Sequence, residues 1–591
     1  MILMKQFTKH RGRPAHLAVS ALLITISMVS CAISSDRQAL DQPNESPAVT
    51  LAPAAGVPEA PVSTQKLTDD MMYDILLAEI AGQRGDMQVS VSRYLQAANV
   101  ARDPRVAERA VQVASFAKQY GIALEAARRW VVLDSQNLDA RKALTALALQ
   151  QGDLDVVVAQ MDFMLGNSAD PEGSFRMVTA MLARHEDKAE ALKATRLLVD
   201  RYPDNPYAWM AMCRLAVVSE QLDTALDAVD RALVLQPDIT EASLLKAQVL
   251  VRLSRSADAT AVLKSATQKH PQDTDLLFAY GRMLLDGSDL EGAKNQFARV
   301  VEIDPEYADG LYSLALLELE TRDFVSGEKH LMQLLGVSGR RQNAYYYLGY
   351  VAREQGNDKA ALDWYLKVES GDYWSQAQLR AADIMVKQGD IERMQSYLRT
   401  QRQKNPQQIV QLYIVEGQVL TNAGLHQQAF DVYGKALSHS PDNEDLLYSH
   451  SLAAEKLGKL AIAEENMRRI LEQDPDNVRT LNALGYTLAD RTNRYDEALQ
   501  YISKAYAQEP DDPAIIDSMG WVHFRLGDLD KARTYLQQAW DKSKDSEIGA
   551  HFGEVLWMSG EHDAAVEIWE LSRESSPDNA LLLEVINRLN P

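Results

Sequence analysis

The chain has 591 residues, of which 46% are hydrophobic and 24% are charged, proportions typical of a folded protein. Its 83 acidic and 61 basic side chains give a formal net charge of −22. Such a surface repels phosphate backbones, which argues against a nucleic-acid partner. The two cysteines exclude a disulfide framework, and neither belongs to a CxxC pair or to a His/Cys cluster with metal-ligand spacing.

The first 30 residues predict an export signal peptide. Lys5, Lys9, Arg11 and Arg13 give it a basic start, and an uncharged apolar segment follows at 17–29. That segment is too short to span a bilayer as a helix, which needs about 20 apolar residues. A basic start, a short apolar middle and small residues at the end together indicate export.

The signal peptide ends at a cysteine, in the sequence Met28-Val29-Ser30-Cys31. This resembles the bacterial lipobox, in which the cysteine receives a diacylglycerol and becomes the first mature residue. In exported lipoproteins, a residue such as Ala32 in place of aspartate implies sorting to the outer membrane. Because several acyl chains anchor a protein firmly, we expect lipidated Cys31 to hold the chain at that membrane, facing the periplasm. The alternative is an ordinary secretory signal with a chance cysteine.

Residues 31–66 predict a disordered tether behind the lipidated cysteine. This segment is rich in proline and has almost no bulky apolar side chains, so it cannot bury enough surface to offset the entropy of ordering. Its typical reach is about 30–35 Å. The tether would let a membrane-held body work away from the lipid surface.

A 34-residue period fills the chain from residue 67 onward. Pro271 and Pro305 are 34 residues apart, and the stretch "LFAYGRMLLDGSDLEGAKNQFARVVEIDP" between them has Gly281, Ala293 and Phe297 at fixed offsets. The pattern recurs along the chain and resembles the tetratricopeptide repeat (TPR), W-x2-L-G-x2-Y…A-x3-F…P. In this repeat the glycine lies where two antiparallel helices cross, and the aromatic side chain fills the gap beside it.

The repeat predicts an all-α fold, a TPR solenoid of about 13–15 helix pairs over residues 67–591. One helix pair cannot cover its own apolar face, so neighbouring pairs must stack. We expect 67–84 to form the first helix and 579–591 to form a C-terminal capping helix. Cys213 falls at the small-residue position of its repeat, which predicts a packed structural thiol.

Motifs of catalysis are missing from the sequence. It contains no HExxH metal motif, no GxSxG nucleophile elbow, no phosphate loop and no dinucleotide fingerprint. The acidic pairs Asp69-Asp70 and Asp511-Asp512 lie in helix-start or turn contexts, where capping explains them better than acid–base chemistry. We therefore predict a non-enzymatic binding protein that needs no metal and no cofactor.

Aromatic side chains recur at repeat positions that, in tetratricopeptide solenoids, face the concave surface. Rigid aromatics in a groove are good anchors for peptides and proteins. The alternative is that they pack between repeats. The predicted substrate-groove residues are Phe278, Tyr312, Tyr346, Tyr350, Tyr486 and Trp521.

The first predicted helix carries apolar side chains on more than one stripe, and Thr68 is its expected N-cap. A terminal helix of a solenoid should present a polar outer face. Either another chain covers the surplus apolar surface, or the fold covers it by returning on itself. The candidate docking residues are Met72, Ile75, Leu76 and Ile80.

The signal peptide, lipobox, tether and repeat array together resemble the outer-membrane tetratricopeptide lipoproteins that partner the periplasmic carboxyl-terminal processing protease CtpA. The segment "LNALGYTLADRTNRYDEALQYISKAYAQEPDDPAIIDSMGWVHFRLGDLDKARTYLQQAW" at 481–540 carries much of this resemblance. It implies an adaptor whose first helix binds the protease and whose groove recruits peptidoglycan cross-link hydrolases for degradation. Two alternatives stay open: assistance of outer-membrane assembly (secretin or β-barrel biogenesis), and regulation of peptidoglycan synthesis.

Overall fold

The computed structural model describes residues 68–166, 170–185, 187–337 and 339–589. The predicted signal peptide, the lipidation at Cys31 and the tether lie outside the described residues. Within them every regular element is helical, so the predicted all-α class is confirmed. No helix in these ranges is both long enough and apolar enough to cross a bilayer.

Two compact units divide the described residues, one at 68–305 and one at 306–589. The helices of the first unit are α1 (Asp69–Gln83), α2 (Met87–Val100), α3 (Pro104–Phe116), α4 (Tyr120–Leu133), α5 (Leu138–Gln150), α6 (Leu154–Gly166), α7 (Pro171–Ala183), α8 (Lys188–Arg201), α9 (Pro206–Val218), α10 (Leu222–Leu235), α11 (Thr240–Arg252), α12 (Ser256–Lys269), α13 (Thr274–Asp286) and α14 (Leu290–Ile303).

The second unit continues the same alternation and includes a short 3-10 helix at Pro406–Gln408. Its α-helices are α15 (Ala308–Glu320), α16 (Phe324–Leu334), α17 (Arg341–Glu354), α18 (Asp358–Tyr365), α19 (Trp374–Lys387), α20 (Ile391–Lys404), α21 (Ile409–Asn422), α22 (His426–Leu437), α23 (Glu444–Lys456), α24 (Leu460–Gln473), α25 (Val478–Arg491), α26 (Tyr495–Gln508), α27 (Pro513–Arg525), α28 (Leu529–Lys542), α29 (Ser546–Met558), α30 (His562–Ser575) and α31 (Ala580–Leu589).

In each unit an odd-numbered helix packs against the even-numbered helix that follows it. Short turns make such neighbours antiparallel. The glycine of the repeat sits at their crossing, as predicted: a Cβ added at Gly281 would lie 2.7 Å from Phe297 Cε1, and one at Gly349 would lie 2.7 Å from Tyr365 Cδ1. Only a glycine lets the aromatic ring approach the backbone of the first helix this closely.

Polar side chains cap the N-termini of several helices. Thr68 is the N-cap of α1 as predicted, since its Oγ1 accepts a hydrogen bond from the Met71 N–H at 3.3 Å. At α27, Asp512 Oδ1 accepts hydrogen bonds from the backbone N–H groups of Ala514 and Ile515. The neighbouring Asp511 pairs with Lys542 at 2.8 Å. Capping and surface pairing therefore account for this acidic dipeptide.

Cys213 is fully buried in α9 and forms no disulfide with any residue that the structure describes, which confirms the predicted packed thiol. Burial raises the pKa of the Cys213 thiol to about 12, because the apolar surroundings disfavour the thiolate.

A chain carrying Cys31→Ser should therefore react very slowly with a thiol reagent while it is folded. The raised pKa reduces the thiolate fraction by roughly a thousandfold against an ordinary cysteine, and packing also blocks access. A colorimetric thiol assay checks this, with complete reaction expected only in denaturant. Rapid stoichiometric labelling of the native chain would contradict the burial of Cys213.

Candidate protein-binding sites

One side of helix α1 packs against the rest of the first unit. Met71, Ala78 and Ala81 are buried on that side. The buried Asp74 carboxylate binds Arg93 Nη1 at 3.0 Å, and the Arg93 side chain comes from α2. These contacts hold the helix in place without using its opposite face.

The opposite face of α1 presents a run of exposed apolar side chains, which we call the docking stripe: Met72, Tyr73, Leu76 and Ile80. Their exposed fractions are 46%, 60%, 56% and 46%, whereas Ile75 is only partly exposed beside them. Positions 72, 76 and 80 are four residues apart and lie above one another on a helix. Sequence reasoning counted only aliphatic and methionine side chains here and so missed Tyr73. The docking role itself stays a prediction.

In the first unit, the predicted groove residue Phe278 is buried. Its ring packs on Phe297 of α14, with the ring centroids 5.4 Å apart. Phe278 therefore helps hold a helix pair together, and its role in binding a partner stays a prediction.

In the second unit, two predicted groove residues meet in a tyrosine cluster, formed by Tyr312, Tyr346, Tyr347 and Tyr373. The rings of Tyr346 and Tyr373 stack with centroids 4.5 Å apart. The Tyr373 hydroxyl lies 2.9 Å from the Tyr347 hydroxyl and 3.3 Å from the Tyr312 hydroxyl. Tyr312 is buried, and Tyr346 is partly exposed, as is Tyr350 one turn further along α17. The four rings therefore pack against one another as a single cluster.

The other two predicted groove residues also meet, and they do so at a histidine that sequence reasoning missed. We call the set Tyr486, Asp517, Trp521 and His551 the His551 cluster. Both Asp517 carboxylate oxygens lie within 3.1 Å of His551 Nδ1, and the Tyr486 hydroxyl lies 3.3 Å from His551 Nε2. The Trp521 ring stacks on the imidazole with the centroids 4.2 Å apart. Asp517 and His551 are 34 residues apart, so the repeat period is the signal by which the sequence could have revealed their pairing.

Charge dominates the surroundings of the His551 cluster. Burial by itself lowers the pKa of His551, but Asp517, with Asp490 and Glu547 nearby, outweighs burial and raises it above its ordinary value. For Tyr486, burial and the same carboxylates act together, so its pKa is raised well above the usual range. The cluster therefore favours an imidazolium held against a carboxylate, beside a neutral phenol.

The raised pKa of His551 makes part of the stability of the second unit depend on pH. The stabilisation is fully present below the ordinary histidine pKa of about 6.5 and is lost as the pH rises through the raised pKa of the folded state. Urea unfolding followed by circular dichroism gives the free energy of unfolding of the native chain and of the His551→Gln variant over a series from about pH 5 upward. We expect the native chain to have the higher free energy of unfolding, with the largest difference at the acidic end of the series. Buried His450 and His523 have lowered pKa values and contribute with the opposite sign, but in both proteins equally. A difference between the two proteins that does not change with pH would contradict the assignment.

Comparisons with known proteins match this repeated helical architecture. The family model for the TPR domain of cytochrome c-type biogenesis protein H matches residues 183–302. One tetratricopeptide-repeat model matches residues 312–377 and 448–513, and a second matches residues 491–550. The TPR repeat-containing protein PA4667 of Pseudomonas aeruginosa is 34% identical over 487 residues, which cover 82% of each chain. The chain belongs to the family of TPR repeat-containing proteins.

More distant similarities accompany that relative. The CTR9 homolog of Arabidopsis thaliana is 24% identical to this TPR protein over 53% of its chain, which corresponds to 27% of the plant protein. A structural match to a chain in the crystal structure of the APC/C hetero-tetramer Cut9–Hcn1 covers 88% of this chain and 97% of the matched chain. The two chains are 14% identical, and the TM-score is 0.32.

TPR repeats build extended surfaces that bind other proteins, and this TPR protein is a scaffold of that kind. Across the ranges that the structure describes, no three His, Cys, Asp or Glu side chains come close enough together to hold a metal ion.

Proposed function

We propose that this TPR protein is a lipid-anchored adaptor on the periplasmic side of the outer membrane. Cys31 carries the lipid, and the docking stripe binds a carboxyl-terminal processing protease of the CtpA type. The repeats bind protein substrates, with peptidoglycan cross-link hydrolases as the class that the sequence resemblance suggests. The chain itself supplies no catalytic group, since the protease does the chemistry.

The observation that carries the proposal is the docking stripe. The outer face of a terminal repeat should be polar, because water covers it. Here four neighbouring large side chains face outward from α1, while the buried side of the helix is already packed and paired. Exposed apolar patches rimmed by polar residues mark protein–protein contacts, and the patch is flanked by Asp69, Asp70 and Arg84. A partner therefore gains apolar contact without disturbing the fold.

Effective concentration would be the mechanism of such an adaptor. When one chain holds protease and substrate together, their encounter becomes intramolecular, and the apparent affinity rises by about 10²–10⁴ without new contacts between them. The predicted tether keeps the pair near the membrane while allowing the scaffold to move. Delivery then depends on two separate surfaces, one for the protease and one for the substrate.

Titration of the purified full-length protein with a purified CtpA-type protease tests the proposal. We expect saturable binding in the micromolar range or tighter, measured by calorimetry, with full affinity when a peptidoglycan hydrolase is also bound. If the protease does not bind, and a secretin or β-barrel assembly component binds instead, the adaptor proposal is wrong and the role in outer-membrane assembly replaces it.

A further inference from the structure

We infer that the repeats at 444–558 hold a binding site for an extended peptide segment that carries a basic side chain, built on Asn482, Tyr486, Asp517 and Trp521. The inference rests on the proposed function, because it states the chemistry by which the scaffold would select its substrates. It does not involve the docking stripe.

Helical spacing brings these side chains into two rows. Asn482 and Tyr486 are four residues apart on α25, and Asp517 and Trp521 are four residues apart on α27. Residues at this spacing share one face of a helix. The rows meet because Tyr486 and Trp521 both contact His551 of α29. Three first helices of successive pairs thus contribute to one surface.

Two polar atoms on this surface have hydrogen-bonding capacity that the fold leaves unused. Asn482 and Trp521 are each only 6% exposed, yet among the residues that the structure describes nothing donates to Asn482 Oδ1 and nothing accepts from Trp521 Nε1. A buried polar group without a partner destabilises the fold, because it has lost its hydrogen bonds to water and gained none in return. An extended peptide offers the complementary pair, a backbone N–H for the amide oxygen and a backbone carbonyl for the indole N–H.

The charge of the surroundings selects a cationic side chain. Four carboxylates raise the pKa of Tyr486 beyond the effect of burial: those of Asp490, Asp517, Glu547 and Glu455. Arg491 and Arg525 lie 3.0 and 3.9 Å from the Asp490 carboxylate, and His551 pairs with Asp517. These three cationic groups lie against Asp490 and Asp517 and leave Glu455 out of their ion pairs.

The half-buried Glu455 is the natural partner for an incoming cation. It accepts a hydrogen bond from Thr487 Oγ1 at 3.4 Å and forms no ion pair within the described ranges. The partly exposed ring of Tyr486 adds a second attraction, because a guanidinium or ammonium group binds favourably over an aromatic face. A peptide with arginine or lysine fits this surface, and an acidic peptide does not.

The test uses the full-length protein and a short fluorescein-labelled peptide, acetylated and amidated, in which arginine alternates with leucine and serine. A second peptide has glutamate in place of each arginine. We expect the arginine peptide to bind, its affinity to fall as salt is raised, and the glutamate peptide to bind at least tenfold more weakly. Fluorescence anisotropy gives both affinities.

Two variants assign the binding to this surface. Asn482→Leu removes the acceptor, and Trp521→Phe removes the indole N–H while keeping an aromatic ring, so each should weaken binding roughly fivefold. Trp569→Phe is the matched control, since Trp569 is also buried with an unpartnered Nε1 but packs against Gly553 inside the last helix pairs. We expect that control to bind like the native chain.

Equal binding of the two peptides would overturn the inference, and so would native affinity in both Asn482→Leu and Trp521→Phe. Binding of the protease to the same preparations separates this result from the proposed function. If the native chain binds the protease but shows no preference for the arginine peptide, only the inference has failed. If the native chain does not bind the protease at all, the proposed function has failed.

Discussion

The Leu76→Asp variant should lose about two orders of magnitude in affinity for a CtpA-type protease. Leu76 lies at the centre of the docking stripe, with Met72 one turn before it and Ile80 one turn after it. An apolar anchor at the centre of an interface contributes about 2–4 kcal/mol, and a carboxylate at that point would also have to lose its water on binding. Calorimetric titration of variant and native protein with the protease measures the difference.

The matched control is Leu571→Asp on α30. Leu571 is 47% exposed and Leu76 is 56% exposed, so both variants place the same new charge on a similarly open helix surface. Neither should change the unfolding midpoint by much, since exposed substitutions away from special features stay within about 0.5 kcal/mol. Equal protease affinity of the two variants would show that the stripe does not bind the protease.

The Gly417→Ala variant should lower the free energy of unfolding of the second unit by about 1–3 kcal/mol. A Cβ at Gly417 would lie 2.3 Å from Cζ and 2.4 Å from Cε1 of Tyr433, distances that force the ring or the helix to move. Tyr433 is almost completely buried, so the ring has no free space to enter. Urea unfolding of the full chain, followed by circular dichroism, measures the loss.

Gly121→Ala provides the control for this prediction. Gly121 is also helical, but a Cβ there would meet no atom within 4 Å. Alanine favours a helix over glycine by up to about 1 kcal/mol, so this variant should be neutral or slightly stabilised. If Gly417→Ala and Gly121→Ala change the free energy of unfolding equally, the close approach of the Tyr433 ring does not explain the need for glycine at position 417.

The repeated part of the fold could be predicted from the sequence because its determinants are local. The 34-residue period places a glycine of the first helix opposite a large side chain of the second, and the structure brings Gly281 onto Phe297 as that period requires. The cap at Thr68 and the burial of Cys213 followed from the same local reading. Each of these features depends only on residues within one repeat or on its immediate neighbour.

The aromatic clusters could be predicted only in part, because they join residues of different repeats. Tyr486 and His551 are 65 residues apart, and Tyr312 and Tyr373 are 61 residues apart. Contacts at such separations depend on how each helix pair rotates against the next, which the repeat signature does not encode. Tyr373 also lies in a turn rather than at a groove position, so no periodic signal pointed to it.

The most direct test of the adaptor function is the rate at which a purified CtpA-type protease degrades a purified peptidoglycan cross-link hydrolase. The rate is measured at substrate concentrations well below saturation, with the native chain, with Leu76→Asp, with Leu571→Asp and with no added scaffold. We predict at least a tenfold acceleration by the native chain and by Leu571→Asp, and a rate near that of the protease alone with Leu76→Asp. Degradation at one rate in all four reactions would contradict an adaptor function for this TPR protein.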